Sequence, residues 1–181
     1  MRKPFILLLI ASSLVFAGQD TRREAVHFSN PAQDARPNSD QVPDATVYAA
    51  HLQRIAVLRF KYNTDLLADL VKTVKEQKIQ NAVILSGIGS VRNYQVHQVG
   101  NREFPPKDVF VKNPTAPADI ISMSGFVIGG RVHAHITLAN PDKAFGGHLE
   151  PDTTVYTFAI VTLGVLEDGL DLSRIDDWNY R

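Results

Sequence analysis

The alternation of apolar and polar positions divides the chain into a short apolar leader, a polar stretch spaced by prolines, and a long patterned region starting near Val47. In that region Ile55-Ala56-Val57-Leu58-Arg59-Phe60 is rich in bulky and β-branched residues and predicts a first strand. Asn63 or Thr64 then caps a helix from about Asp65 to Gln77. Its Leu66, Leu67, Leu70, Val71 and Val74 fall on one stripe. Asp65 at the start and Lys72, Lys75 and Lys78 toward the end complement the helix dipole, and the lysines read as a solvated helix end. After the helix the period becomes that of strands. Asn81–Leu85, Val91–Val99, Ala118–Val127, Val132–Ala139 and Thr153–Leu166 are candidates, separated by Gly, Pro, Asn and Asp. Gly87-Ile88-Gly89 reads as a tight bend between two of them. One strong helix among these strands predicts an α+β fold, a mainly antiparallel sheet with one principal helix packed on it.

The leader has the three-part plan of a secretory signal. Arg2 and Lys3 precede an apolar run from Phe5 to Ile10 that resumes at Leu14, and Val15 and Ala17 suit cleavage after Ala17. Ser12 and Ser13 interrupt a stretch already shorter than the roughly 20 apolar residues a membrane span needs. The expected organisation is a signal peptide at 1–17, a tether at 18–45 containing Pro31, Pro37 and Pro43, one domain at 46–172, and a polar tail at 173–181. The mature chain is then expected to be periplasmic or extracellular, with no membrane span.

Composition narrows the chemistry. The absence of cysteine excludes disulfides, thiolate metal sites and a cysteine nucleophile. A formal charge of +0 argues against non-specific nucleic-acid binding, which needs a concentrated cationic field. Ser86-Gly87-Ile88-Gly89-Ser90-Val91 lacks the third glycine and the following helix of a dinucleotide fingerprint. Ser122 and Ser124 sit in an apolar strand, outside any nucleophile elbow. Asp176 and Asp177 lie in the polar tail and are expected to face solvent.

The informative stretch runs from Arg131 to Pro151. On a strand, His133 and His135 point to the same face. Asn140-Pro141-Asp142 is a turn signal that doubles the chain back and brings His148 toward them, with Gly146 and Gly147 allowing close approach. Three converging imidazoles form a metal constellation with a fourth position for water or another ligand. Zinc is the first choice, although nickel, copper and iron also accept nitrogen ligands. The competing reading is a pair of half-buried histidines hydrogen-bonded to their neighbours, with His148 close by coincidence. Glu150, two residues beyond His148, is the first candidate for a general base should a metal-bound water react. His51 and His97 have no such geometry. His97 shares a strand face with Gln95 and Asn93, a position suited to supporting a ligand.

Five landmarks then appear in order: Asp65-Leu66-Leu67, Ala82 to Val91, Ile120 to Gly125, His133-Ala134-His135-Ile136, and Phe145-Gly146-Gly147-His148-Leu149. Together they resemble the plants-and-prokaryotes-conserved (PPC) domain family over about Ile55 to Asp168. The resemblance implies an α+β, PPC-like fold that assembles as a homotrimer. It also implies that His133, His135 and His148 gather into a zinc-type site. Plant members carry the domain beside AT-hook motifs, and prokaryotic members are called DNA-binding by that analogy; this chain has no Arg-Gly-Arg-Pro hook. The reading is therefore an exported homotrimeric binding or assembly module, whose metal is structural or holds a small anionic ligand. A metal-dependent hydrolase or lyase is the alternative, and DNA binding by family analogy a second.

Overall fold

The computed structural model describes residues 22–27, 37–102, 106–177 and 179–181. The expected signal segment and residues 18–21 and 28–36 of the expected tether lie outside the described residues. Among the described residues eight strands and one helix follow in the order β1 (Arg22–His27), β2 (Leu52–Lys61), α1 (Leu66–Glu76), β3 (Ala82–Val99), β4 (Lys107–Asn113), β5 (Ala118–Ile128), β6 (Arg131–Ala139), β7 (Ala144–Leu149) and β8 (Thr154–Leu166). All the strand pairings are antiparallel.

The helix begins one or two residues later than its expected cap. Asn63 takes a left-handed conformation (φ 66°) in the turn leaving β2, and the Thr64 hydroxyl donates back to the Lys61 carbonyl at 2.9 Å. Both are committed to that turn, so the cap is Asp65, whose carboxylate accepts from the Ala68 N–H at 2.9 Å. Its other oxygen accepts from the Asp152 N–H at 2.7 Å, and the Leu66 N–H donates to the Thr153 carbonyl at 2.9 Å. One side chain thus starts the helix and pins the turn between β7 and β8. Leu66, Leu70 and Val74 are fully buried against the sheet, whereas Val71 remains 42 % exposed, so the buried stripe is narrower than the sequence suggested.

β3 is one continuous strand through the glycines expected to bend it. Its ladder with β8 runs from Ala82↔Val165 to Asn93↔Thr154, with register shifts between Ile84 and Ser86 and again between Gly89 and Val91. A Cβ on Gly89, whose φ is 142°, would strike the Phe158 carbonyl. The glycines let two strands approach and absorb bulges, and the strand does not turn. β1, inside the expected tether, and β4 and β7 were not singled out as strands. β1 and β4 pair with each other, from Arg22↔Lys112 to His27↔Lys107. Backbone hydrogen bonds hold these short strands, and such bonds leave little trace in apolar period.

The topology closes on β3. Its first half pairs with β5, β5 with β6, β6 with β7, and β7 returns to the second half of β3. β8 and then β2 extend the first half, while β4 and β1 extend the second. The interior holds Leu66, Leu70 and Val74 of α1 with Val91, Val96, Leu138, Leu149, Val161 and Leu163 of the strands. No helix among the described residues is long and apolar enough to cross a membrane. Truncating Leu70 to alanine, at the centre of the α1–sheet contact, is expected to cost about 2–5 kcal/mol of unfolding free energy by chemical denaturation.

Candidate metal centre

Strand alternation decides which side chains meet. On β6, Ala134, Ile136 and Leu138 are buried, which turns His133 and His135 to the outer face. The turn after β6 is built by Asn140, whose side-chain oxygen accepts from the N–H groups of Asp142 and Lys143, both at 3.0 Å. β7 then returns with His148 directly opposite His135. On its other side His148 is directly opposite His97 of β3. Three neighbouring strands therefore present His97, His148 and His135 in one row, with His133 one pleat along β6.

This row depends on Gly146 and Gly147. A Cβ at 146 would run into the Ile136 carbonyl, and one at 147 into the His97 carbonyl. The Gln98 amide also donates to the Gly146 carbonyl. Residues with side chains there would push β7 away from both neighbours.

The four rings fall into two tight sets that share a border. His133 Nε2 and His135 Nε2 are 3.2 Å apart, close to the roughly 3.3–3.4 Å between two nitrogens of a tetrahedral zinc site. The His148 ring lies 4.9 Å from that of His133 and 5.5 Å from that of His135, centroid to centroid. His97 stacks on His148 at 4.4 Å and 17°. Ligand atoms of His97, His148 and Glu150 all lie within 4.8 Å of one another. His148 is thus a member of the His97–Glu150 set and a neighbour of the His133–His135 pair.

Oxygen atoms face ring nitrogens of His133, His148 and His97. His133 Nδ1 contacts the Asp176 carboxylate at 2.7 Å. His148 Nδ1 contacts the Leu149 carbonyl at 3.0 Å and Glu150 Oε1 at 3.3 Å. The same Glu150 oxygen lies 2.6 Å from His97 Nδ1, and the buried Asp108 carboxylate stands 3.6 Å from His97 Nε2. Glu150, the candidate base of the sequence, therefore sits behind two imidazoles, engaged by both. His97 does more than the sequence indicated, because it packs face to face on His148. Asp108 was missed because its strand was missed, and Asp176 because nothing in a polar tail signals where it folds.

Burial holds the pKa of His148 below the ordinary histidine value of 6.5, reinforced by His97 and His133 and opposed by Glu150. His135 is lowered for the same first reason, with His133 and His97 adding to it. Both rings favour the neutral form, which carries the lone pair a metal requires.

A family model described as the Plants and Prokaryotes Conserved (PCC) domain matches residues 48–167. The chain belongs to that family. The PCC match contains His97, His133, His135, His148 and Glu150 and stops short of Asp176. The Bifunctional protein GlmU of Synechococcus sp. (strain JA-3-3Ab) is 28 % identical to this chain over 119 residues. That alignment takes in 65 % of this chain and 18 % of the other, so the chain spans less than a fifth of that relative. The Metal-containing Protein AF0104 from Archaeoglobus fulgidus has the same fold at a TM-score of 0.58 and 24 % identity, over 68 % of this chain and 86 % of its own. A plant- and prokaryote-conserved protein of Pyrococcus horikoshii gives 0.54 and 25 %, over 68 % and 85 %. A Bacteroides thetaiotaomicron protein with a provisional DNA-binding name gives 0.52 and 18 %, over 66 % and 85 %.

The lowered histidines set a direction for stability. Below pH 6.5 the unfolded chain takes up protons at these positions before the folded one does, so their contribution is whole above 6.5 and declines as pH falls toward the folded values. The metal-free protein is expected to melt at a lower temperature at pH 5.5 than at pH 8. His148→Gln should shrink that difference, and an unchanged difference in scanning calorimetry would speak against the assignment.

Proposed function

We propose that this chain is an exported PCC module that assembles as a homotrimer and holds one divalent cation per chain, zinc first, between His133, His135 and His148. The observation that carries the reading is the 3.2 Å approach of His133 Nε2 and His135 Nε2, with His148 opposite His135 on the adjacent strand. Two protonated imidazoles would repel at that distance; neutral ones facing a cation would not. The Nδ1 atoms of His133 and His148 fit as well, since metal-bound histidines almost always donate their second ring N–H to a carboxylate, carbonyl or water. The A. fulgidus relative is itself named as metal-containing.

When bound, such a cation supplies a Lewis-acid position for water or a small anionic ligand. Within this arrangement His133, His135 and His148 bind the ion, while His97 and Glu150 hold the His148 ring from behind. With Glu150 engaged by His97 and His148, its role is to orient rather than to act as a free base, which favours a binding module over the hydrolase or lyase reading. The nucleic-acid reading draws on the provisional name of the Bacteroides neighbour, and to it the chain brings a formal charge of +0.

Export rests on the leader sequence. Assembly is supported by an apolar outer face. Ile55 and Val57 of β2 are exposed, as are Leu85 and Ile88 of β3. Phe158 of β8 and Phe126 of β5 continue this face, and Phe126 pairs with His133. Contiguous apolar surface of this kind marks an interaction site.

Elemental analysis of the purified protein should find about one divalent ion per chain, absent from His135→Ala. A wild-type protein that folds but neither carries nor takes up such an ion would overturn the metal reading. Sedimentation equilibrium should give three times the chain mass, and Val57→Glu should return a monomer. A monomeric wild type would overturn the assembly.

A further inference from the structure

The C-terminal segment after β8 crosses back over the domain and places a carboxylate on one of the clustered histidines. Its path is fixed at several points. The Asn81 side chain donates to the Leu170 carbonyl at 2.8 Å and accepts from the Gly129 N–H at 3.2 Å, which ties the start of the tail to the turn that opens β6. Leu172 is buried, at 4 % exposure. Asp171 accepts from the Ser173 N–H at 2.9 Å, and the Ile175 N–H donates to the Leu172 carbonyl at 3.0 Å. At its end the Arg181 carbonyl accepts from the Ser39 N–H at 3.0 Å. Between these anchors Asp176 reaches His133 Nδ1 at 2.7 Å.

We infer that this tail is a working part of the metal centre, with Asp176 as the residue that fixes the tautomer and ring angle of His133. The inference rests on the metal reading above and concerns a residue outside the matched family domain. An ionised carboxylate only accepts hydrogen bonds, so the nitrogen facing it must carry the proton. That leaves the lone pair on His133 Nε2, the atom that approaches His135 Nε2. A carboxylate in this position also raises the basicity of the ligating nitrogen, and losing such a partner typically costs 10–100-fold in metal affinity. His148 has its equivalent in the Leu149 carbonyl and Glu150, supplied from its own strand end. His133 is served instead by a segment from the far end of the chain.

A purely structural tail would use the same contact only to fasten itself down. The test separates the two by measuring the metal. Wild type, Asp176→Ala, Asp176→Asn, Asp176→Glu and His135→Ala are stripped of metal and checked for fold by circular dichroism. They are then titrated with Zn2+ against a chromophoric chelator, and with Co2+ by visible absorption. Asp176→Ala and Asp176→Asn should bind Zn2+ about 10–100-fold more weakly than wild type, with a shifted Co2+ spectrum, and Asp176→Glu should recover part of the affinity. Asp177→Asn, one residue along, should match wild type. Equal affinities and superimposable Co2+ spectra for wild type, Asp176→Ala and Asp176→Asn would overturn the inference while leaving the metal reading intact. A wild type that binds neither ion would overturn both. Should Asp176→Ala fail to fold, the Asn and Glu variants carry the same comparison.

Discussion

The clustered histidines depend on one steric constraint, the fit of a short strand into a narrow gap. β7 lies between β6 and the second half of β3, and at Gly146 and Gly147 the carbonyls of Ile136 and His97 stand where side chains would be. Because β7 fits, His148 is in register with histidines on both sides. Strand alternation then turns all of them to one face, and the pairing of antiparallel neighbours sets their spacing. The chemistry is therefore downstream of two missing Cβ atoms. The same closure buries Leu149 in the core beside the half-buried His148, so packing and site are secured by one strand.

Four imidazoles gathered on one face also need an electrostatic resolution. Burial and mutual repulsion keep His135 and His148 toward neutrality. Glu150, Asp108 and Asp176 supply the compensating negative charge at ring nitrogens of His97, His148 and His133. Oxygen holds the Nδ1 atoms of His133 and His148, which leaves their Nε2 atoms to carry the lone pairs. Such polarity suits an incoming cation and disfavours an incoming anion unless a cation has bound first.

Much of this was legible in the chain, for identifiable reasons. The amphipathic stripe of α1 and the apolar runs of β5, β6 and β8 sit against the core, so burial wrote them into the residue pattern, while β2 was legible through its bulky and β-branched residues although Ile55 and Val57 face outward. His-x-His on a strand and the Asn-Pro-Asp turn placed His133, His135 and His148 on strands that pair as neighbours, because both signals are local. His97 was only half legible, since its closeness to His148 requires the ring of strands to close through β3. Asp108 and Asp176 were illegible. One lies on β4, a short strand with no apolar period, and the other is delivered by tail contacts, such as Asn81 with Leu170, that link residues 89 apart. The glycines of β3 misled in a different way. Their φ freedom signals a bend in isolation, but a neighbouring strand had already claimed the space a turn would need.

The unbroken length of β3 carries a last consequence. Its first half is keyed to β5 and β8 and its second to β4 and β7, so the strand spans two separately fixed frames. Side chains alternate with every residue, and the count between Gly89 and Tyr94 decides whether His97 or Val96 faces outward. Here residue number matters more than residue type. A single insertion or deletion would leave the β8 half paired as before, while inverting the other half and burying an imidazole in the hydrocarbon interior. The segment works as a ruler, tolerant of exchange and intolerant of change in length.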